Sequence, residues 1–104
     1  MYLRSVFVII KFMNIEKFKK DFRNKINNYS RPWGREERIL HLVEEIGEFA
    51  EIALQYNGSK EPKKDINDVK IALSDILEAV FSLSLLYGID IDVLLRELTD
   101  EEDN

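Results

Sequence analysis

The chain has 104 residues, with 15 Lys+Arg against 20 Asp+Glu and a formal net charge of −5. That length suits one small domain, and the lack of cysteine excludes a disulfide scaffold, a thiolate zinc site and a thiol nucleophile. The acidic balance argues against stable nucleic-acid binding, and carboxylates in excess over a single histidine point any metal site towards hard cations: Mg²⁺, Mn²⁺ or Ca²⁺.

Residues 1–12 contain one short apolar run, Val6 to Ile10. Five residues fall well short of the ~20 that span a bilayer, and no small-residue cleavage site follows. The segment reads as an N-terminal extension that packs on the domain as a strand or helix, or as sequence upstream of a start at Met13. A cytoplasmic protein without a membrane segment is expected.

The first helix is predicted from about Asn14 to Ile26. Asn14 is a suitable N-cap, and Ile15, Phe18, Phe22 and Ile26 recur on one helical face. The second runs from about Arg35 to Tyr56. Ile39, Leu42, Val43, Ile46, Phe49, Ala50 and Ala53 form its apolar stripe, and Asn57-Gly58 is a stop. The third begins between Pro62 and Asn67 and ends near Tyr87, with Gly88 as the stop. From Ile76 to Leu86 it is apolar on most of its circumference, so it needs cover on more than one side. A short fourth helix is predicted from Ile91 to Leu98, with Asp90 as its N-cap. The expectation is an all-α bundle, residues 13–98, with two long antiparallel helices at its centre, completed by homo-oligomerisation and followed by an acidic tail, residues 99–104.

The carboxylates are not evenly spread. With Ile46 at the centre of the second helix's stripe, Glu45 lies about 100° to one side and Glu48 about 160° on the same side. His41 and Ile52 share that sector, so it is expected to be partly covered. Spaced i and i+3, Glu45 and Glu48 can converge on one point. On the third helix Asp68, Asp75, Glu78 and Ser82 fall within about 80° of one another, and Ser74 and Lys70 extend that stripe. Facing carboxylates repel, burial raises the cost, and a divalent cation relieves both. The alternative is a solvated helix face with partners such as Arg38 or Lys64.

Leu42-Val-Glu44-Glu45-Ile-Gly47-Glu48-Phe-Ala50-Glu51, followed by Ala72-Leu-Ser-Asp75-Ile-Leu, resembles the MazG-like nucleotide pyrophosphohydrolases. That all-α superfamily carries Glu-Glu-x-x-Glu on one helix and Glu-x-x-Asp on the next. Glu44, Glu45 and Glu48 match the first motif, Gly47 and Ala50 match its small neighbours, and Asp75 matches the aspartate of the second. Gly88-Ile89-Asp90-Ile91-Asp92 resembles the stretch that commonly follows the second long helix. The resemblance covers about residues 30–98.

The resemblance implies an Mg²⁺-dependent enzyme, with Mn²⁺ as an alternative, that cleaves a nucleoside triphosphate to the monophosphate and pyrophosphate, a reaction suited to cleaning the nucleotide pool. Metal ligands would be Glu45, Glu48 and Asp75, with Glu44 and Glu45 in the catalytic role and Glu44 positioning water. The second motif's glutamate position is Ala72 here, which cannot ligate a metal. Glu78, one turn after Asp75, is the preferred substitute, and Asp68 the other. The phosphate-gripping cluster that follows in the family is also missing. Phosphate contacts then fall to residues such as Arg35, Arg38 and Lys70, with Arg31, Lys63 and Lys64 as further candidates. Trp33 or Tyr29 would stack on the base. A dimer or tetramer is implied, with no membrane or nucleic-acid partner. Ala72 leaves a second reading, a non-catalytic module of the same fold that binds a nucleotide or protein. A plain helical adaptor is the third.

Overall fold

The computed structural model of the chain describes residues 14–28 and 34–100, with Asp100 described by its backbone only. Expectations for residues 1–12, for Tyr29, Arg31 and Trp33, and for 101–104 lie outside the described residues. All regular structure among the described residues is helical: α1 (Ile15–Asn27), α2 (Arg35–Tyr56), α3 (Ile66–Leu86) and α4 (Ile91–Asp100). None of these helices is long and apolar enough to cross a membrane. The chain divides into two compact units, one holding α2 and α3 and the other α1 and α4.

In the second of these units, α1 starts where its cap dictates. The Asn14 side chain accepts from the Lys17 backbone N–H at 3.0 Å, which satisfies one donor that the first turn leaves orphaned. Phe22 is buried and Ile15, Phe18 and Ile26 are half-buried, as the 3–4 spacing predicts. The Phe18 and Phe22 rings sit 5.9 Å apart. A lysine joins this apolar face: Lys19 is buried and its Nζ lies 3.3 Å from Asp92 of α4 and 3.5 Å from Glu16. Burial alone would lower the Lys19 pKa, but Asp92, Glu16 and Asp90 together hold it above the ordinary lysine value. Burial likewise works to raise the Asp92 pKa, and the bond and charge of Lys19, with Arg96, outweigh it and hold it low. α4 runs two residues past the predicted end at Leu98. Thr99 is buried and its hydroxyl donates to the Arg96 carbonyl at 2.8 Å, so the helix continues where the sequence suggested the start of a frayed tail.

In the other unit, α2 and α3 pack against each other. Arg35, at the first position of α2, donates through Nε and Nη2 to the carbonyl of Leu86, the last residue of α3, both at 3.3 Å. The two helices are therefore antiparallel. The Gly34 N–H donates to the Glu37 carboxylate at 3.2 Å, which is the return half of a capping box. At the other end, Ser59 N–H reaches Leu54 O at 2.9 Å and Gly58 N–H reaches Gln55 O at 3.2 Å. This Schellman arrangement needs a left-handed residue, and Gly58 supplies it with φ 85°. α3 begins with a reciprocal box. Asp65 N–H donates to Asp68 Oδ2 at 3.0 Å, and Asp68 N–H donates to Asp65 Oδ1 at 3.1 Å.

The predicted apolar stripe of α2 does not lie at the centre of this unit. Ile39, Val43, Ile46 and Ala50 are exposed, and it is Arg38 and Gln55 that are buried. Leu42, Phe49 and Ala53, at one margin of the stripe, are half-buried. The helix is thus rotated from the position that apolarity alone would select, and the carboxylate sector turns towards α3.

Candidate functional site

Helical geometry gathers Arg38, Glu45, Phe49 and Ile52 on one side of α2, at spacings of seven, four and three. On α3 the buried residues Ala72, Ala79 and Ser82 share a face with Asp75. Small side chains in such a seam let two helices approach closely. The Ser82 hydroxyl turns back onto its own helix, donating to the Glu78 carbonyl at 2.8 Å, and so makes no demand on α2.

Glu45 is the residue around which the site forms. Its side chain is 12% exposed, with Oε1 3.6 Å from His41 Nε2, one turn earlier on the same helix. Its other oxygen, Oε2, is buried and has no hydrogen-bond partner among the described residues. Burial first, then the charges of Glu48 and Asp75, push the Glu45 carboxyl above its ordinary pKa; Glu44 adds to this and His41 opposes it.

The remaining site residues divide into those near Glu45 and those held elsewhere. Glu48 and Glu44 are exposed, and Asp75 and Glu78 are half-buried. Among the described residues, no group of three or more histidine, aspartate or glutamate side chains stands close enough to hold a metal ion. The expected set of Glu45, Glu48, Asp75 and Glu78 does not form such a group; Glu48 and Asp75 act on Glu45 through their charge. Asp68, the other substitute for Ala72, is engaged in capping α3. Arg35 bonds the end of α3 and Arg38 is buried, so neither stands as an open phosphate contact. Lys70 is exposed, about 140° around α3 from Asp75. Trp33 lies outside the described residues. His41, which shares the Glu45 sector in the sequence, sits with its Nε2 3.6 Å from Glu45 Oε1. Its i,i+4 spacing to Glu45 was the available sign.

The side chains coupled to Glu45 are carboxylates apart from His41, the donor type that hard divalent cations take, but among the described residues they do not stand close enough together to ligate one ion. The chain matches no family model, no curated protein and no solved structure at a significant level.

Proposed function

We propose that the chain is an Mg²⁺-dependent nucleoside triphosphate pyrophosphohydrolase of the MazG-like kind, assembled as a dimer or tetramer. The observation that carries this reading is Glu45, with one buried oxygen unpartnered among the described residues and its pKa raised by burial and then by the charges of Glu48 and Asp75. Protein interiors seldom keep such a group without a role. The Glu44-Glu45-x-x-Glu48 motif on α2 supports it from the sequence side, with Asp75 on α3 as the one residue kept of the second motif.

In this reading Glu45, Glu48 and Asp75 would hold the cation, with Glu78 in reserve for the missing residue at 72. A bound Mg²⁺ would supply charge neutralisation at the phosphate oxygens. Glu44 positions a water for in-line attack on the α-phosphorus. The water oxygen bonds to phosphorus, the bridging α–β P–O bond breaks, pyrophosphate leaves, and the water proton passes to a carboxylate. His41 acts as a positioning residue by fixing the Glu45 rotamer through their 3.6 Å contact.

The test is pyrophosphate release by the purified chain from a panel of canonical and modified nucleoside triphosphates, with Mg²⁺ or Mn²⁺. Metal-dependent release that Glu45→Gln abolishes is expected. No release above background at high enzyme concentration rejects the reading. The non-catalytic alternative rests on Ala72, which is buried in the α3 seam where the family carries a glutamate. Turnover that appears only on Ala72→Glu would select that alternative.

A further inference from the structure

Of the asparagines among the described residues, Asn57 alone is followed by glycine. It caps the C-terminal end of α2 in a helical conformation, φ −71° and ψ −8°. The turn that follows is held by hydrogen bonds and not by packing. Gly58 N–H donates to Gln55 O at 3.2 Å, and Ser59 N–H donates to Leu54 O at 2.9 Å. Asn57, Gly58 and Ser59 are all exposed, and a Cβ added at Gly58 would meet nothing within 4 Å among the described residues. A backbone nitrogen that follows an asparagine is a nucleophile towards the side-chain amide carbon. Glycine, with no side chain, leaves that nitrogen unshielded.

We propose that Asn57 is a site of spontaneous deamidation, through a cyclic imide closed with Gly58, and that the α2 cap sets its rate. The Gly58 nitrogen bonds to Asn57 Cγ, and the bond from Cγ to the amide nitrogen breaks. That nitrogen leaves as ammonia, taking up the proton that Gly58 N gives up. Water then opens the imide at either carbonyl and leaves aspartate or isoaspartate, with no change of oxidation state. The folded turn opposes ring closure in two ways. The Gly58 proton is engaged by Gln55 O, and Asn57 must rotate out of its helical ψ before the ring can close. Both bonds of the turn therefore open first. An exposed helix end opens at a small fraction of the cost of global unfolding, so the cap is a gate and not a block. Either product sets a new negative charge at the C-terminal end of α2, where the helix dipole is already negative. Isoaspartate also lengthens the main chain, so that Gly58 and Ser59 no longer reach both carbonyls. This inference goes beyond the hydrolase reading and does not depend on it.

Ageing the purified full chain at mildly alkaline pH, folded and in unfolding concentrations of urea, tests it. Tryptic digestion and mass spectrometry follow the peptide from Ile39 to Lys60, which holds no other asparagine, and fragment ions separate Asn57 from Gln55. A mixture of aspartate and isoaspartate at position 57 is expected in the folded chain. Its formation is slowed roughly 5- to 150-fold relative to urea, the range that two net hydrogen bonds supply. The aged parent melts at a lower temperature than the fresh one, and Asn57→Gln aged alongside it does not change. An Asn57 slowed by more than about a thousandfold in the folded chain, beyond what two such bonds supply, overturns the site. Equal rates in the folded and unfolded chain overturn the gating by the cap. Aspartate without isoaspartate overturns the imide route. None of these outcomes bears on pyrophosphate release, so the two proposals fail separately.

Discussion

Removing the charge of Glu45 should stabilise the metal-free protein. Its Oε2 is buried without a partner among the described residues, and a buried unsatisfied polar group costs roughly 1–3 kcal/mol. Glu45→Gln keeps the shape, removes the repulsion from Glu48 and Asp75, and gives the amide a hydrogen to donate towards those carboxylates. The lost contact with His41 is long, at 3.6 Å, and partly exposed pairs contribute little. A net gain of about 1 kcal/mol is expected, which for a domain of this size raises the melting temperature by roughly 4–8 °C. The pH dependence carries its own sign. A carboxyl whose folded pKa is raised contributes stability that is fully present below its unfolded pKa and lost as pH rises through the folded one. The parent therefore carries the penalty at neutral pH and sheds it on acidification, so the advantage of Glu45→Gln narrows as pH falls into the carboxylate range. Thermal melts in chelator at a series of pH values measure this. A variant less stable than the parent at pH 7 would refute the reasoning, because the Glu45 anion would then be adequately compensated.

Other substitutions probe separate parts of the account. Arg35→Ala removes both bonds to the Leu86 carbonyl, and a loss of about 1 kcal/mol is expected in urea unfolding. Gly47 lies in the middle of α2, where an added Cβ meets nothing within 4 Å. Gly47→Ala should therefore stabilise by up to about 1 kcal/mol through helix propensity alone, seen as a raised melting temperature. The depressed Asp92 carboxyl contributes stability at neutral pH that disappears as pH falls through its folded pKa. Asp92→Asn should thus lower the urea midpoint at pH 7, and the difference from the parent should close in acid.

The helix boundaries were legible because local chemistry sets them: Asn14, Gly58 and Gly88 act through caps and left-handed backbone that neighbouring residues alone decide. The orientation of α2 was not legible in the same way. Counting apolar residues directs Ile39, Val43 and Ile46 inward, yet the seam with α3 takes Glu45 and the opposite margin of the stripe instead. A stripe that faces solvent in one chain and a stripe that faces a core look identical in sequence. The candidate site was readable as a pattern, since i,i+3 spacing sets Glu45 and Glu48 on adjoining positions. What periodicity could not reveal was the engagement of Arg35 at a helix end, because it depends on which chain segment arrives nearby; the cap that engages Asp68 is local, with Asp65 three residues away. Lys19 was missed for the same reason: its partner, Asp92, is 73 residues away in sequence.

The central claim is that Glu45, Glu48 and Asp75 share one hard cation, and the melting temperature of the parent under Mg²⁺ or Mn²⁺ titration tests it most directly. A ligand at 100 times its Kd stabilises the native state by about 2.7 kcal/mol. The account predicts a saturating rise in melting temperature for the parent and none for Glu45→Gln or Asp75→Asn. An unchanged melting temperature across the titration, or an equal rise in all three proteins, would contradict it.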